Sequence, residues 1–556
     1  MENIFFEITV VICVAAVLSG IFRLLKQPAL LAYILTGILI GPLGLFPLHS
    51  PDVLKTMAEF GITLLLFMMG LEIRLSELPI IGRAAILTAV FQIISTASIG
   101  FVLASILGLG LLPAIYVGIA LSFSSTIIVV KLLSDKKDLR SLYGKISVGV
   151  LLIQDFVAIL LLIFLSNFNF GGDAIPYQIL IISLKAVVLF GWIIFLSNTV
   201  FPKIVYHFAK SQETLFLLSL AWVFGLAAFV SSKPIGFSIE IGGFLAGLAL
   251  SNSVANYQII AKVKILRDFF IVLFFVLLGL QMNFGNIASQ VIPALVLAAF
   301  VVLGKPLLTM FAMGFLGFRK RTSFFTGLSL SQMSEFSLIL IFTGQKLGQI
   351  SQNLVSLLTL TAVIAYTAST YLIIDTNKFY FIVSKYIPFF ERAKRSENIN
   401  VDELGDLKNH IVIIGGEEMG RSIMDVLEEE EHVVLVDFNP EVVKKKDRKN
   451  VHRLFGDIID TDIQDRAQLG EAKLIVSTIS DMEDNALLIR RAKSENKKAK
   501  VVVIALDKAD ARVLYKEGAD YVVLPHLAGG RQIAKVLRDD DADLKKLREK
   551  DFPYIS

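Results

Sequence analysis

Apolar residues run in blocks of about twenty from the start of the chain to residue 375, and then the pattern changes. The blocks are 4–22, 28–46, 53–71, 84–107, 112–134, 144–167, 177–202, 212–231, 235–252, 265–281, 290–317, 322–346 and 352–375. A helix crossing the hydrocarbon core of a bilayer needs about 20 such residues, so the pattern predicts about thirteen spans. Further on, the apolar runs shorten and become rich in β-branched residues. HIVIIGG (410–416), HVVLVD (432–437), VHRLFGD (451–457), KLIVSTI (473–479), KVVVIAL (500–506) and YVVLP (521–525) alternate with helical stretches. Strands separated by helices predict a parallel, doubly wound α/β sheet. Between the two regimes lies ERAKRSENINVDELGD (391–406), charged and helix-breaking. The expected organisation is a polytopic α-helical membrane domain at 1–376, a linker at 377–406 and a Rossmann-like domain at 407–556.

Composition sharpens that division. The chain has 556 residues, 55% hydrophobic and 18% charged. That much apolar surface cannot be hidden in a soluble fold. Residues 1–376 hold 22 Lys/Arg and 15 Asp/Glu, whereas 377–556 hold 31 and 34. Cys13 is the one cysteine, so no intrachain disulfide is possible. Residues 4–25 are too long for a signal-peptide core and lack a small-residue cleavage site, so they are kept as a span.

Loop charges orient the bundle. With thirteen spans, loops on the side of the C-terminal domain carry seventeen Lys/Arg and the opposite loops only Lys55, Lys233 and Lys346. Positive charge gathers on the cytoplasmic side, which places the C-terminal domain in the cytoplasm and the N-terminus outside. The net charge of +4 reflects this topology and not a nucleic-acid partner.

Ionisable groups at bilayer depth are costly and mark pathways. Lys185, Asp155, Glu240, Asp268, Lys305 and Glu335 are the candidates. Asp155, with Gln154 beside it, lies about eleven residues into GVLLIQDFVAILLLIFL. A single carboxylate there can hold a monovalent cation or a proton but is disfavoured from holding both, which is the minimal chemistry of exchange. The alternative is a structural Asp paired with a lysine. The preceding span crowds Ser122, Ser124, Ser125 and Thr126 together. Hydroxyls and freed carbonyls are hard-oxygen ligands, and broken helices at midplane are common in transporters; close helix packing is the alternative. Glu335, in GLSLSQMSEFSLILIF, occupies a similar hydroxyl-rich stretch in the other half, which suggests an inverted repeat. It is either a second pathway carboxylate or a structural group. Lys305 precedes Pro306 and is read first as a structural partner of a carboxylate or dipole, second as a proton-exchanging amine. Lys185 is read as snorkelling, and Asp268 and Glu240 as solvated or interfacial. The six histidines show no metal-ligand spacing, so no metal beyond the transported ion is assigned.

In the C-terminal block the first strand turns through Gly415-Gly416-Glu417-Glu418-Met419-Gly420. The dinucleotide fingerprint needs glycine at the first, third and sixth positions. Gly415 and Gly420 fit, and Glu417 stands where the phosphate-approach glycine belongs. Asp437 ends the second strand where a ribose-binding acid is expected. Asp457 and Thr478 end the third and fourth strands. Gly415, Gly416, Gly420, Asp437, Asp457 and Thr478 are the candidate nucleotide contacts, and a fold that has lost its ligand is the alternative.

These motifs resemble a known family. LLLFMMGLEIRL (64–75), SFSSTIIVVKLL (122–133), SVGVLLIQDFVAIL (147–160), EIGGFLAGLAL (240–250), FFVLLGLQMNF (274–284) and SQMSEFSLIL (331–340) resemble the second monovalent cation:proton antiporter family, which includes the Kef-type potassium efflux systems. GDIIDTDIQDRAQLGEAKLIVSTISDMEDN (456–485) is similar to the Rossmann-type domain that regulates potassium conductance. The resemblance implies a core domain moving against a dimerisation domain, two unwound helices crossing near the bilayer centre, and a homodimer. It implies Asp155 as the cation/proton carboxylate with Gln154, Ser124, Ser125 and Thr126 around it, and Lys305 at a basic position of a later span. One acid beside a glutamine implies electroneutral exchange. Gated members bind adenine nucleotides, so AMP, ADP, ATP or NAD(H) is the implied regulatory ligand; nothing assigns glutathione. Ser331, Met333 and Ser334 depart from the family's glycine-richer pattern.

The expected function is therefore secondary exchange of a monovalent cation, K⁺ ahead of Na⁺, for protons in the cell membrane, with nucleotide control and no enzymatic step. Two alternatives are a ligand-gated potassium channel, which lacks a TVGYG-like filter here, and a membrane-anchored NAD-dependent dehydrogenase. The latter has about 30 residues after the last strand in which to build a substrate domain.

Overall fold

The computed structural model describes residues 4–46, 51–72, 82–136, 138–167, 175–201, 211–232, 235–253, 255–283, 287–318, 320–383, 407–416, 418–427, 431–437, 440–443, 450–456, 458 and 461–538. The chain divides into two compact units, Met1–Ala393 and Lys394–Ser556.

Each of the thirteen expected spans corresponds to a helix or to a broken helix. The intact ones begin with α1 (Ile4–Leu24), α2 (Ala29–Ile40), α3 (Pro51–Glu72) and α4 (Gly82–Ile106). The fifth span is interrupted, as α5 (Leu111–Ser122) and α6 (Thr126–Asp135). Then come α7 (Leu142–Asn167), α8 (Ile175–Thr199), α9 (Gln212–Val230), α10 (Ile239–Leu250) and α11 (Asn256–Leu280). The eleventh span joins α12 (Ile287–Ala299) to α13 (Lys305–Phe315) through a π-helical turn, Phe300–Gly304. The twelfth is again interrupted, as α14 (Lys320–Ser329) and α15 (Glu335–Lys346), and α16 (Gln352–Ile374) and the short α17 (Thr376–Val383) close the unit. Among the described residues, eight helical stretches are long and apolar enough to cross a membrane. The other five passages are α2, α8 and α10, which are short or only partly described, α11, whose first half carries Lys262, Lys264 and Arg267, and the pair α14/α15 with its polar break. The tenth span thus starts nine residues earlier than its apolar run, because the charged segment 256–264 is helical too.

Two groups of helices form. In the first, α3 lies along α10 and α11, α11 along α2, and α9 along α10. In the second, α4 packs on α5, α7 and α13, α13 on α14, and α15 on α5, α7 and α16. Lipid gives helices no hydrophobic reason to associate, so close backbone approach has to supply the attraction. In the first group a Cβ on Gly247 would stand 2.0 Å from Phe67 O, and one on Gly37 would stand 2.0 Å from Val276 O. In the second, a Cβ on Gly118 would stand 2.4 Å from Ala97 O. Each group is stitched internally by such contacts.

The second unit is the parallel, doubly wound sheet the sequence predicts, six-stranded in the order β3-β2-β1-β4-β5-β6, which is the strand order of the dinucleotide fold. The strands are β1 (Ile411–Ile414), β2 (Val433–Asp437), β3 (Val451–Phe455), β4 (Leu474–Ser477), β5 (Lys500–Ile504) and β6 (Tyr521–Val523). β1 and β2 are buried at every position, as strands covered on both faces must be. Helices α18 (Glu418–Leu427), α19 (Pro440–Val443), α20 (Thr461–Arg466), α21 (Met482–Glu495) and α22 (Lys508–Glu517) follow successive strands, and α23 (Pro525–Arg538) follows the last.

Candidate functional site

The two interrupted spans meet. α5 stops at Ser122 and α6 starts at Thr126, while α14 stops at Ser329 and α15 starts at Glu335. An interrupted helix exposes orphan carbonyls on one side of its break and orphan N–H groups on the other, and neither can be left bare at bilayer depth. Hydroxyl side chains at and beside the breaks satisfy them. Ser125 caps α6, accepting from Ile128 N at 3.1 Å, and Ser334 caps α15, accepting from Phe336 N at 3.1 Å. Ser124 Oγ donates across the crossing to Leu330 O at 2.9 Å, and Ser337 Oγ donates back to Ala120 O at 2.5 Å.

Lys305 is fully buried beneath both breaks. Its Nζ donates to Phe123 O at 2.7 Å and to Gln332 O at 2.8 Å, one carbonyl from each unwound stretch. These are dipole partners of the kind the structural reading of Lys305 expects. The π turn just before it widens the helix ahead of Pro306, which offers no N–H to the preceding turn.

Both carboxylates face the start of α6. Thr126 Oγ1 donates to Asp155 Oδ2 at 2.8 Å, and Ser125 Oγ donates to Glu335 Oε1 at 2.6 Å. Consecutive hydroxyls thus serve two buried acids, from α7 and from α15. Helix N-termini carry partial positive charge, which favours anions at this point. Asp155 and Glu335 are thus bound by neighbouring residues, so the centre holds a pair of carboxylates and not an isolated one. Gln154 Oε1 accepts from Ser124 N at 2.9 Å, and Gln154 Nε2 donates to Gln92 Oε1. Gln92 Nε2 in turn donates to Ser122 O at 3.0 Å and to Thr96 Oγ1 at 2.9 Å. The glutamine pair therefore holds both sides of the first break.

Asp155, Gln154, Ser124, Ser125, Thr126, Glu335 and Lys305 are all brought together. Gln92 and Ser337 join them unforeseen. A glutamine in the apolar run AVFQIIST was a signal of the same kind as a buried charge, because an unsatisfied amide at that depth is also costly. Glu240, expected to be solvated or interfacial, is instead buried within the first helix group. α10 packs on both α3 and α9, and this encloses its first turn. Asp268 is exposed and paired with Arg267 at 2.7 Å. Lys185 is exposed, with Nζ 3.1 Å from Ile235 O.

In the second unit, Gly415 follows β1 with φ of +87°, a conformation that favours glycine. Asp437 Oδ2 accepts from Gly416 N at 2.6 Å, and Thr478 Oγ1 donates to Ile414 O at 2.9 Å. A Cβ on Gly420 would stand 1.8 Å from Gly415 O, so this glycine lets α18 rest on the turn. Gly415, Gly416, Gly420, Asp437 and Thr478 therefore form one cluster at the carboxyl ends of β1, β2 and β4. Asp457 and Glu417 lie outside the described residues. At the opposite end of the sheet His410 is buried, with Nε2 2.9 Å from Ala467 O. Burial pulls its pKa below 6.5 against the opposing pull of that carbonyl.

Comparison with known proteins gives both units a family context. Residues 10–373 match the model of the transmembrane sodium/hydrogen exchanger family, and residues 411–525 match the TrkA-N domain model. The iron transporter MagA of Paramagnetospirillum magneticum is 28% identical over 68% of this chain and 87% of its own length. The Escherichia coli protein YbaL, for which cation/proton antiport is proposed, is 26% identical over 94% of each chain. K(+) efflux antiporter 5 of Arabidopsis thaliana is 30% identical over 63% of each chain. The sodium proton antiporter MjNhaP1 of Methanocaldococcus jannaschii shares the fold of the membrane unit, with a TM-score of 0.53 at 16% identity, over 68% of this chain and 97% of that one.

Proposed function

The chain belongs to the sodium/hydrogen exchanger family, and on that premise we propose that it exchanges K⁺, ahead of Na⁺, for protons one for one, with Asp155 as the shared binding group. It is a multi-pass cation/proton antiporter with a TrkA-N domain as its regulatory part. The observation that carries the assignment to Asp155 is its position. A buried carboxylate is held by Thr126 at the break in one helix, where a second broken helix crosses and Lys305 closes both. A cation entering there finds a carboxylate, a hydroxyl and unwound backbone in place of water, and a proton competes for the same oxygens.

The loop-charge asymmetry supports an outside N-terminus and a cytoplasmic regulatory domain. The cluster at Gly415, with Asp437 beside it, supports an adenine nucleotide as the regulatory ligand, AMP, ADP, ATP or NAD(H). Ligand binding controls exchange only by favouring one transport state over another. The proposed assembly is a homodimer in the cell's inner membrane.

The test uses inside-out vesicles holding a preformed pH gradient. K⁺, Na⁺ and, given the name of one relative, iron(II) are added in turn. K⁺ collapses the gradient in the native protein and fails to do so in Asp155→Asn. Retained exchange in that variant, or an inert response to every cation, rules the reading out. Repeating the assay with each nucleotide, in native protein and in Asp437→Ala, tests the regulatory part. A response of unchanged size in Asp437→Ala removes that residue from nucleotide recognition.

A further inference from the structure

The two helix groups of the membrane unit are each locked by glycine-mediated backbone contacts, yet an ion pair runs between them. Glu59 lies on α3, in the group built on α2, α3, α10 and α11. Lys346 is the last residue of α15, in the group that carries both broken helices. Their charged atoms are 2.7 Å apart, with side chains 23% and 33% exposed. The pair sits at the end of the bundle opposite the basic residues Lys320 and Arg321, because those residues open α14 and α15 ends at Lys346. Two further polar ties cross between the groups at the same end. Gln352 Nε2 donates to Gln281 O at 2.5 Å, and Asn283 N donates to Ser356 Oγ at 3.0 Å.

We infer that Glu59–Lys346 is a latch that holds the broken-helix group against the other at this end, and that the pair must separate in each exchange cycle. This rests on the exchange reading above. One bound group can serve both sides of a membrane only if the helices around it shift relative to something fixed. Within a group the helices approach so closely that a Cβ in place of a glycine hydrogen would stand as near as 2.0 Å to a neighbouring backbone, which leaves no room for sliding. Motion is therefore confined to the boundary between groups, where each of the ties named above runs through at least one side chain. A Lys–Glu pair suits that place. Its long, flexible side chains form and break contact without rearranging a helix, and partial exposure lets water take over each charge on opening.

The experiment is a reversible cross-link in full-length protein, reconstituted in proteoliposomes, with Cys13→Ser as background. Glu59→Cys and Lys346→Cys are joined by a short bifunctional methanethiosulfonate, and cation-driven proton flux is measured before joining, after joining and after reduction. The expected result is a loss of flux of tenfold or more on joining, with recovery on reduction. Flux that continues at its original rate in the joined protein overturns the latch. So does a pair that fails to join, since the two positions are then not neighbours. Flux before joining reports on the exchange reading by itself, so the two failures are distinguishable. A charge exchange gives a second arm. Lys346→Glu alone, with two facing acids, is expected to change the cation KM several-fold, and adding Glu59→Lys is expected to restore it. A KM unmoved by Lys346→Glu counts against the latch.

Discussion

Thr126 Oγ1 lies 2.8 Å from Asp155 Oδ2, and the threonine is the first residue of the helix that restarts after the break. The carboxylate is thereby fixed to the most polarised point of a broken helix. Hydrogen bonds to a charged group contribute about 1.5–3 kcal/mol, so Thr126→Val, nearly equal in shape, is expected to raise the cation KM by roughly tenfold or more. Thr126→Ser keeps the donor and is expected to stay near the native value. Titration of gradient collapse against cation concentration checks both. A valine variant with native KM would remove Thr126 from the site.

Lys305 supplies donors to two carbonyls that have no helix to bond to. Lys305→Met keeps the length of the side chain and strands Phe123 O and Gln332 O. Each abandoned buried carbonyl costs roughly 1–3 kcal/mol, so the variant is expected to unfold at a clearly lower temperature in detergent and to lose exchange. A melting point equal to the native one would show that water or a rearranged side chain replaces the ammonium.

Gln92 and Gln154 clamp the two sides of the first break as a unit. Gln154→Leu removes the acceptor for Ser124 N and strands Gln92; Gln92→Leu removes the donor to Ser122 O and strands Gln154. The double variant is expected to be less damaged than the two losses added together, with a coupling of about 0.5–3 kcal/mol. Thermal unfolding of the four proteins measures it, and strict additivity would mean that the two amides act separately.

His410 ties soluble-domain stability to pH. Burial holds its pKa below 6.5 in the fold, so the unfolded chain takes up the proton first. The stabilisation is fully present above about 6.5 and is lost as pH falls towards the folded value, with a slope of at most about 1.4 kcal/mol per pH unit for one group. Denaturant unfolding of residues 407–556 at pH 7.5 and 5.5 reads the slope. His410→Gln retains a donor for Ala467 O and is expected to flatten it; an unchanged slope would assign the dependence to other groups.

The spans and strands were legible because their signals are local. A run of twenty apolar residues or a short β-branched run between helices is readable without knowing what it touches. Asp155, Lys305 and the hydroxyls stood out because polar groups at that depth need a reason. Their partners did not stand out, because Ser125 and Glu335 are 210 residues apart in sequence and Lys305 and Phe123 are 182 apart. Gln92 did not stand out because it is uncharged, and its need for hydrogen bonds is a quieter signal than a buried charge. Glu240 was misplaced because proximity to the end of an apolar run says nothing about the neighbouring helices that cover it. The Gly415 turn was partly legible: Gly415 takes the left-handed conformation and Gly420 the close helix approach that the fingerprint calls for, and Asp437 turns out to brace the turn itself.

The grip of Lys305 on carbonyls has a consequence for coupling. Its partners are dipoles and carry no net charge to set against the ammonium. In the proposed exchange, if Asp155 and Glu335 are ionised and Lys305 is protonated, the unloaded centre would bear one surplus negative charge. A single K⁺ or a single proton cancels it. Moving an uncancelled charge through a low-dielectric region is far more costly than moving a neutral assembly. On that reading either loaded form would reorient readily while the bare one would stall, so that one passenger would not leave and the carrier return without the other. Strict exchange, with no leak of either ion alone, would then need no separate gate.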